Sequence, residues 1–89
     1  MREYQFEEAE MRPLFQVGAV KGGRIVQHRS NGETLFNVLV FGDGWHAFVR
    51  TKRGKLRRFR ELETATRWFE KMGWDGELQI TLGSYEEDG

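Results

Sequence analysis

Residues 34–41, Thr-Leu-Phe-Asn-Val-Leu-Val-Phe, set the strongest limit on what this chain can fold into. In an extended strand successive side chains point to opposite faces. Leu35, Leu39 and Phe41 then fall on one side, and Phe36, Val38 and Val40 on the other. A strand apolar on both faces belongs in the middle of a sheet, with neighbours on either edge. The flanking punctuation supplies those neighbours. Asn31-Gly32 is a strong hairpin turn signal and ends a first strand at 23–30. Gly42-Asp43-Gly44 leads into a strand at 45–51, and Arg53-Gly54 turns the chain again into 55–59. Four strands joined by such short turns predict an antiparallel meander.

Beyond the meander the period changes. Leu62, Ala65, Trp68, Phe69 and Met72 make one apolar helix stripe, with Glu61 and Glu63 in the first turn and Lys71 in the last. Gly73 and Trp74 suit a Schellman ending, whereas no Ser, Thr, Asp or Asn precedes Glu61 as an N-cap. Residues 76–82 alternate as a final strand, with Leu78, Ile80 and Leu82 expected inward and Glu77, Gln79 and Thr81 outward. An N-terminal helix is expected within 7–17, starting near Glu10 or Met11 so that Pro13 stands in the first turn. The expected fold is therefore α+β, an antiparallel β-meander with two helices packed on it, in the order α-β-β-β-β-α-β.

Eighty-nine residues are expected to form a single domain, 1–89. A core this small leans on its large aromatics, of which there are seven Phe, three Trp and two Tyr. There is no cysteine, which excludes disulfides and thiolate metal sites and fits a reducing compartment. The first ten residues hold no apolar h-region, and the longest apolar run, 38–41, is far too short to span a membrane. The expectation is a cytoplasmic protein with no membrane partner.

Fourteen Lys and Arg balance fourteen Asp and Glu, but unevenly along the chain. Both ends, 1–5 and 84–89, are expected to be flexible, and the terminal stretches are acidic: Glu3, Glu7, Glu8 and Glu10 at one end, Glu86, Glu87 and Asp88 at the other. Half of the positive charge stands at Arg50, Lys52, Arg53, Lys55, Arg57, Arg58 and Arg60, with no acid among them. On two adjacent strands these side chains would crowd one another, and like charges directly opposite destabilise a hairpin. Something negative nearby would relieve them: nucleic acid phosphate, an acidic protein surface, or the chain's own Glu-rich ends. Edge protection of the sheet is a further reading. Arg predominates over Lys in the segment and makes bidentate contacts to phosphate and guanine, and a two-stranded ribbon fits the major groove.

Catalytic patterns are missing. The two histidines, His28 and His46, have no third ligand at a metal-binding spacing, no nucleophile elbow surrounds Ser30 or Ser84, and 18–23 lacks the phosphate-loop spacing. No enzyme activity, metal, cofactor or small-molecule substrate is expected. Phe36, Trp45 and Phe48 could form a stacking platform for single-stranded nucleic acid, against which stands ordinary core packing.

The pattern Arg-Gly-x-x-Arg-x-Phe-x-x-Leu-x-x-Ala is filled by Arg53, Gly54, Arg57, Phe59, Leu62 and Ala65. It resembles a group of small α+β accessory proteins of bacterial plasmids and other mobile elements, over about residues 7 to 82. Residues 45–70 are also similar to the arm-type DNA-binding domain of phage-type integrases, whose strands enter the major groove. The resemblance implies a non-enzymatic plasmid or phage accessory protein that binds nucleic acid through 50–60. The alternative is a protein-interaction module that inhibits or regulates a host complex through its segregated charges. A homodimer, one chain's acidic end on another's basic segment, is compatible with either.

Overall fold

A computed structural model describes residues 1–82. The elements run β1 (Arg2–Glu7), α1 (Glu8–Gln16), β2 (Gly22–Ser30), β3 (Glu33–Gly42), β4 (Trp45–Arg50), α2 (Leu62–Lys71) and β5 (Leu78–Thr81). The five strands form one sheet in the order β1-β4-β3-β2-β5. As expected, the doubly apolar segment is the central strand, and six consecutive residues of it, Leu35 to Val40, are buried. It pairs antiparallel with β2 and with β4. The β2–β3 hairpin closes through Asn31 (φ 51°) and Gly32 (φ 80°), the left-handed pair that a two-residue turn requires.

The fold is α+β with two helices, but four expectations need correcting. The sheet is mixed and no meander: β1 is parallel to β4, and β5 is parallel to β2. The element order is β-α-β-β-β-α-β. The N-terminal residues, read as a loose acidic end, form β1, in which Arg2, Tyr4 and Phe6 alternate with Glu3, Gln5 and Glu7. Tyr4 stacks on Phe6, and Phe6 meets Trp45 edge to face across the strand pair. Residues 55–59 are not a strand: their backbone joins the sheet through two isolated bridges, Arg50–Leu56 and Phe36–Phe59. The other acidic end, 84–89, lies outside the described residues.

Both parallel connections cross the sheet in the same direction, from β1 toward β2 and from β4 toward β5. Crossovers of one hand then put both helices on one face. There Met11 of α1 and Ala65, Trp68 and Phe69 of α2 join Ile25, Val38, Val40, Ala47 and Val49 in a single core. The helices meet through Phe15, edge-on to Trp68 at 6.0 Å. Gly23 allows α2 to approach, since a Cβ there would stand 2.6 Å from the Phe69 ring. Helix α2 ends as the sequence predicts: Gly73 at φ 90°, with the Trp74 N–H on Phe69 O and the Gly73 N–H on Glu70 O, both 3.0 Å. Helix α1 starts earlier than expected, which leaves Pro13 inside it rather than in its first turn. The start is fixed by Glu7, whose N–H donates to Glu10 Oε1 at 2.9 Å, one half of a capping box.

The final strand corrects one more expectation. Leu78 is half-buried against the core, but Ile80 is 44 % and Leu82 60 % exposed. The alternation is real, yet β5 is an edge strand that the helices reach only at its start.

Candidate nucleic-acid interface

The basic segment begins at the end of β4. Thr51 N–H donates to Lys55 O (2.7 Å) and Gly54 N–H to Thr51 O (2.9 Å), with Gly54 at φ 83°, so residues 51–55 form a tight turn. The chain then wedges between two strands. The β3–β4 ladder stops at Leu39–Phe48. Past it, Arg57 N–H donates to Val49 O on one side, and Phe59 exchanges both backbone bonds with Phe36 on the other, all at 2.8 Å. Asn37, buried, donates its side-chain N–H to Arg57 O at 3.2 Å. Phe59 is buried in the core and anchors the exit into α2.

This path divides the seven cations. Arg50 turns back to the protein. Its guanidinium lies 3.5 Å from Glu7 and 3.4 Å from Glu10, and it donates from Nε to Gln5 O at 3.3 Å. Arg57 lies over the Phe59 ring at 5.0 Å and contributes to the positive field around Glu8. Partial burial pushes the Glu8 carboxyl up. The Trp68 indole N–H, 2.9 Å from Oε1, and the Lys71, Arg57 and Arg12 charges outweigh it and hold Glu8 below its ordinary value. The chain's own Glu-rich N-terminus thus neutralises part of the run. Between α1 and the segment lies a cleft of about 380 Å³ lined by Glu7, Glu8, Arg12, Arg50, Lys52 and Arg57.

Lys52, Arg53, Lys55 and Arg60 are held differently, and Lys52 lines that cleft without an ion pair to Glu7 or Glu8. All four are exposed, and no acid among the described residues pairs with them. Arg58 is exposed beside them. Seven positive charges on paired strands would have repelled across a ladder. The tight turn at 51–55 and the isolated bridges take the place of such a ladder.

The proposed aromatic platform is divided by the sheet. Phe36 and Trp45 fall on the helix-covered face, while Phe48 lies on the opposite one. Sequence reasoning missed a different row on that opposite face. Arg24 lies over Phe41 at 5.1 Å, Phe41 neighbours His46 at 6.2 Å, and His46 meets Phe48 edge-on at 6.4 Å. His46 Nε2 is 3.0 Å from Glu3 Oε1, and Arg24 donates twice to Gln79 Oε1. The signal was the β3–β4 register, which places Phe41 opposite His46. His28 is buried in β2. Among the described residues no three His, Asp or Glu side chains gather as a metal site, and no helix is long and apolar enough to cross a membrane. Comparison of the chain with protein-family models, with curated proteins and with solved structures finds no match.

Proposed function

We propose that this chain is a small non-enzymatic accessory protein that binds nucleic acid through the turn at 51–55 and the exposed cations that follow it. The observation that carries the reading is the set of exposed charges at Lys52, Arg53, Lys55 and Arg60, unneutralised by the described residues while Arg50 next to them is doubly paired. Cations held on an anchored turn lose little freedom on meeting phosphate, and phosphate contact dominates nucleic acid affinity. One bridged pair, Arg50–Leu56, is too short a ribbon to fill a major groove, so the contacts are assigned to phosphates rather than base edges. The plasmid or phage setting follows from the resemblance alone.

Fluorescence anisotropy with a labelled duplex and a labelled single strand tests the reading. Four neutralised phosphates predict a log–log salt slope of roughly −3.6 on the duplex and roughly −2.8 on the single strand. A slope near zero would sink it. A second reading is favoured by Arg50, which already grips two carboxylates of the protein: the neighbouring cations would grip those of an acidic partner protein and regulate it. Saturable binding to such a protein with no retention of either oligonucleotide selects that reading.

A further inference from the structure

We propose that the free edge of β5 pairs antiparallel with the same edge of a second copy of this chain, about a two-fold axis at Ile80, making one continuous ten-stranded sheet. Among the described residues, strand β5 hydrogen-bonds to β2 on one side only, and it is the last strand of the sheet. The other edge has no backbone partner among the described residues and is a template for a further strand. Proteins ordinarily blunt such an edge with charge or proline. From Leu78 to Leu82 there is neither.

The residue pattern says what fits there. Residues directly opposite in an antiparallel pair share a face. Centred on Ile80, the pairing sets Ile80 against Ile80 of the second copy, Leu78 against Leu82, and Gln79 against Thr81. Apolar meets apolar on the helix side and amide meets hydroxyl on the other, with no charge opposed. The contact would cover Ile80 and Leu82, which are 44 % and 60 % exposed in the single chain.

The opposite edge of the sheet shows the contrast. Strand β1 carries Arg2, Glu3 and Glu7. Centred on Gln5, self-pairing would set Glu3 against Glu7 of the second copy, like charge on like charge. Centred on Tyr4 it would leave Arg2 facing Phe6 and Glu3 facing Gln5, which brings together no apolar pair but Tyr4 with itself. Charge protects β1 and leaves β5 as the self-complementary edge. This dimer is independent of the nucleic acid reading. It also differs from an acidic-end-on-basic-segment dimer, which salt would dissolve.

Sedimentation equilibrium over a concentration series tests it, at low and high salt, with the intact wild-type chain, Ile80→Lys, Ile80→Glu and an equimolar mixture of the two variants. A one-strand contact is small, so association is expected at concentrations on the order of micromolar or above. The wild-type mass should rise toward twice that of one chain and persist in high salt. Each variant alone sets like charges together at the axis and should stay at one chain, and the mixture, which sets Lys against Glu, should rise again. That recovery separates a lost contact from a lost fold. The proposal is overturned by a wild type that stays at one chain, by a dimer that salt dissolves, by a single variant that associates like the wild type, or by a mixture that does not recover.

Discussion

Arg50 and Lys52 stand two residues apart in one basic run, yet the fold uses them for opposite ends. Arg50 is half-buried and closes β1 and α1 onto β4 through Glu7, Glu10 and Gln5 O. Lys52, with Arg53, Lys55 and Arg60, is exposed and engages no acid among the described residues. The comparison teaches that a run of like charge is not one functional unit. An arginine fork held by two carboxylates and a carbonyl is a fastener. Exposed cations on a turn tied down at Thr51, Lys55 and Arg57 make no such fastening contact with the described residues. What separates them is the bend at 51–55, which carries the chain off the end of β4.

The sharpest way to break this contrast is to remove the outward group as a whole. The quadruple variant Lys52→Ala/Arg53→Ala/Lys55→Ala/Arg60→Ala is expected to lose nucleic acid affinity on the order of 100-fold at low salt, with the salt slope falling toward zero. Its stability should stay within about 0.5 kcal/mol of wild type, because these side chains are exposed and make no ion pair with the described residues. Anisotropy and a urea titration on the same samples read both quantities. A variant that unfolds more easily while binding as before would reverse the assignment.

Arg50→Ala should do the opposite. It leaves Glu7 and Glu10 facing each other at the helix start, and a cost of about 1–2 kcal/mol is expected. For a domain of this size each kcal/mol lowers Tm by roughly 4–8 °C. The salt slope for nucleic acid should hardly change. Asn37→Ala should cost about 1 kcal/mol by leaving Arg57 O without its side-chain donor. It should also quicken proteolysis within 52–58, since the anchor of the outward group is loosened. Limited digestion followed by mass spectrometry would show no change there if Asn37 is not an anchor.

Much of the fold was legible, and the gaps have physical causes. Strands β2, β3 and β4 and the end of α2 announce themselves through local signals: Asn31-Gly32, the doubly apolar stretch of β3, and Gly73 followed by Trp74. Strand β1 was hidden because its outward positions are Glu3, Gln5 and Glu7, so its composition reads as an acidic tail. Its pairing with β4 spans more than forty residues and leaves no local trace. The same holds for β5 on β2. Residues 55–59 misled in the other direction. They follow the Arg53-Gly54 turn as the second strand of a hairpin would, but Phe59 is drawn to Phe36 and takes the segment off β4. For the site, the seven cations were visible as a run, and the Glu-rich N-terminus was among the anions weighed against them. Which of the seven it would claim depends on where β1 sets Glu7 and Glu8, and that is a property of the sheet rather than of the run.

Glu8 offers the finest test of the division, because the charges that lower it are those of Lys71, Arg57 and Arg12 and none of the four exposed cations that are unpaired among the described residues. Its carboxyl is held below the ordinary value, with the Trp68 hydrogen bond and the Lys71, Arg57 and Arg12 charges overcoming partial burial. A carboxyl whose folded value is depressed binds its proton more readily when unfolded. Its contribution to stability is then complete above the ordinary carboxylate value and is lost as pH falls through the lower, folded one. Wild type should therefore lose stability on that acid limb, and the margin over Glu8→Gln, whose amide can still accept from Trp68, should shrink across it. Arg57→Ala should raise the Glu8 titration, seen by carboxyl NMR, and start the loss at higher pH. The quadruple outward variant should leave that titration where it is. If instead the outward variant shifts Glu8 and Arg57→Ala does not, the boundary between the two groups runs elsewhere than between Lys55 and Arg57.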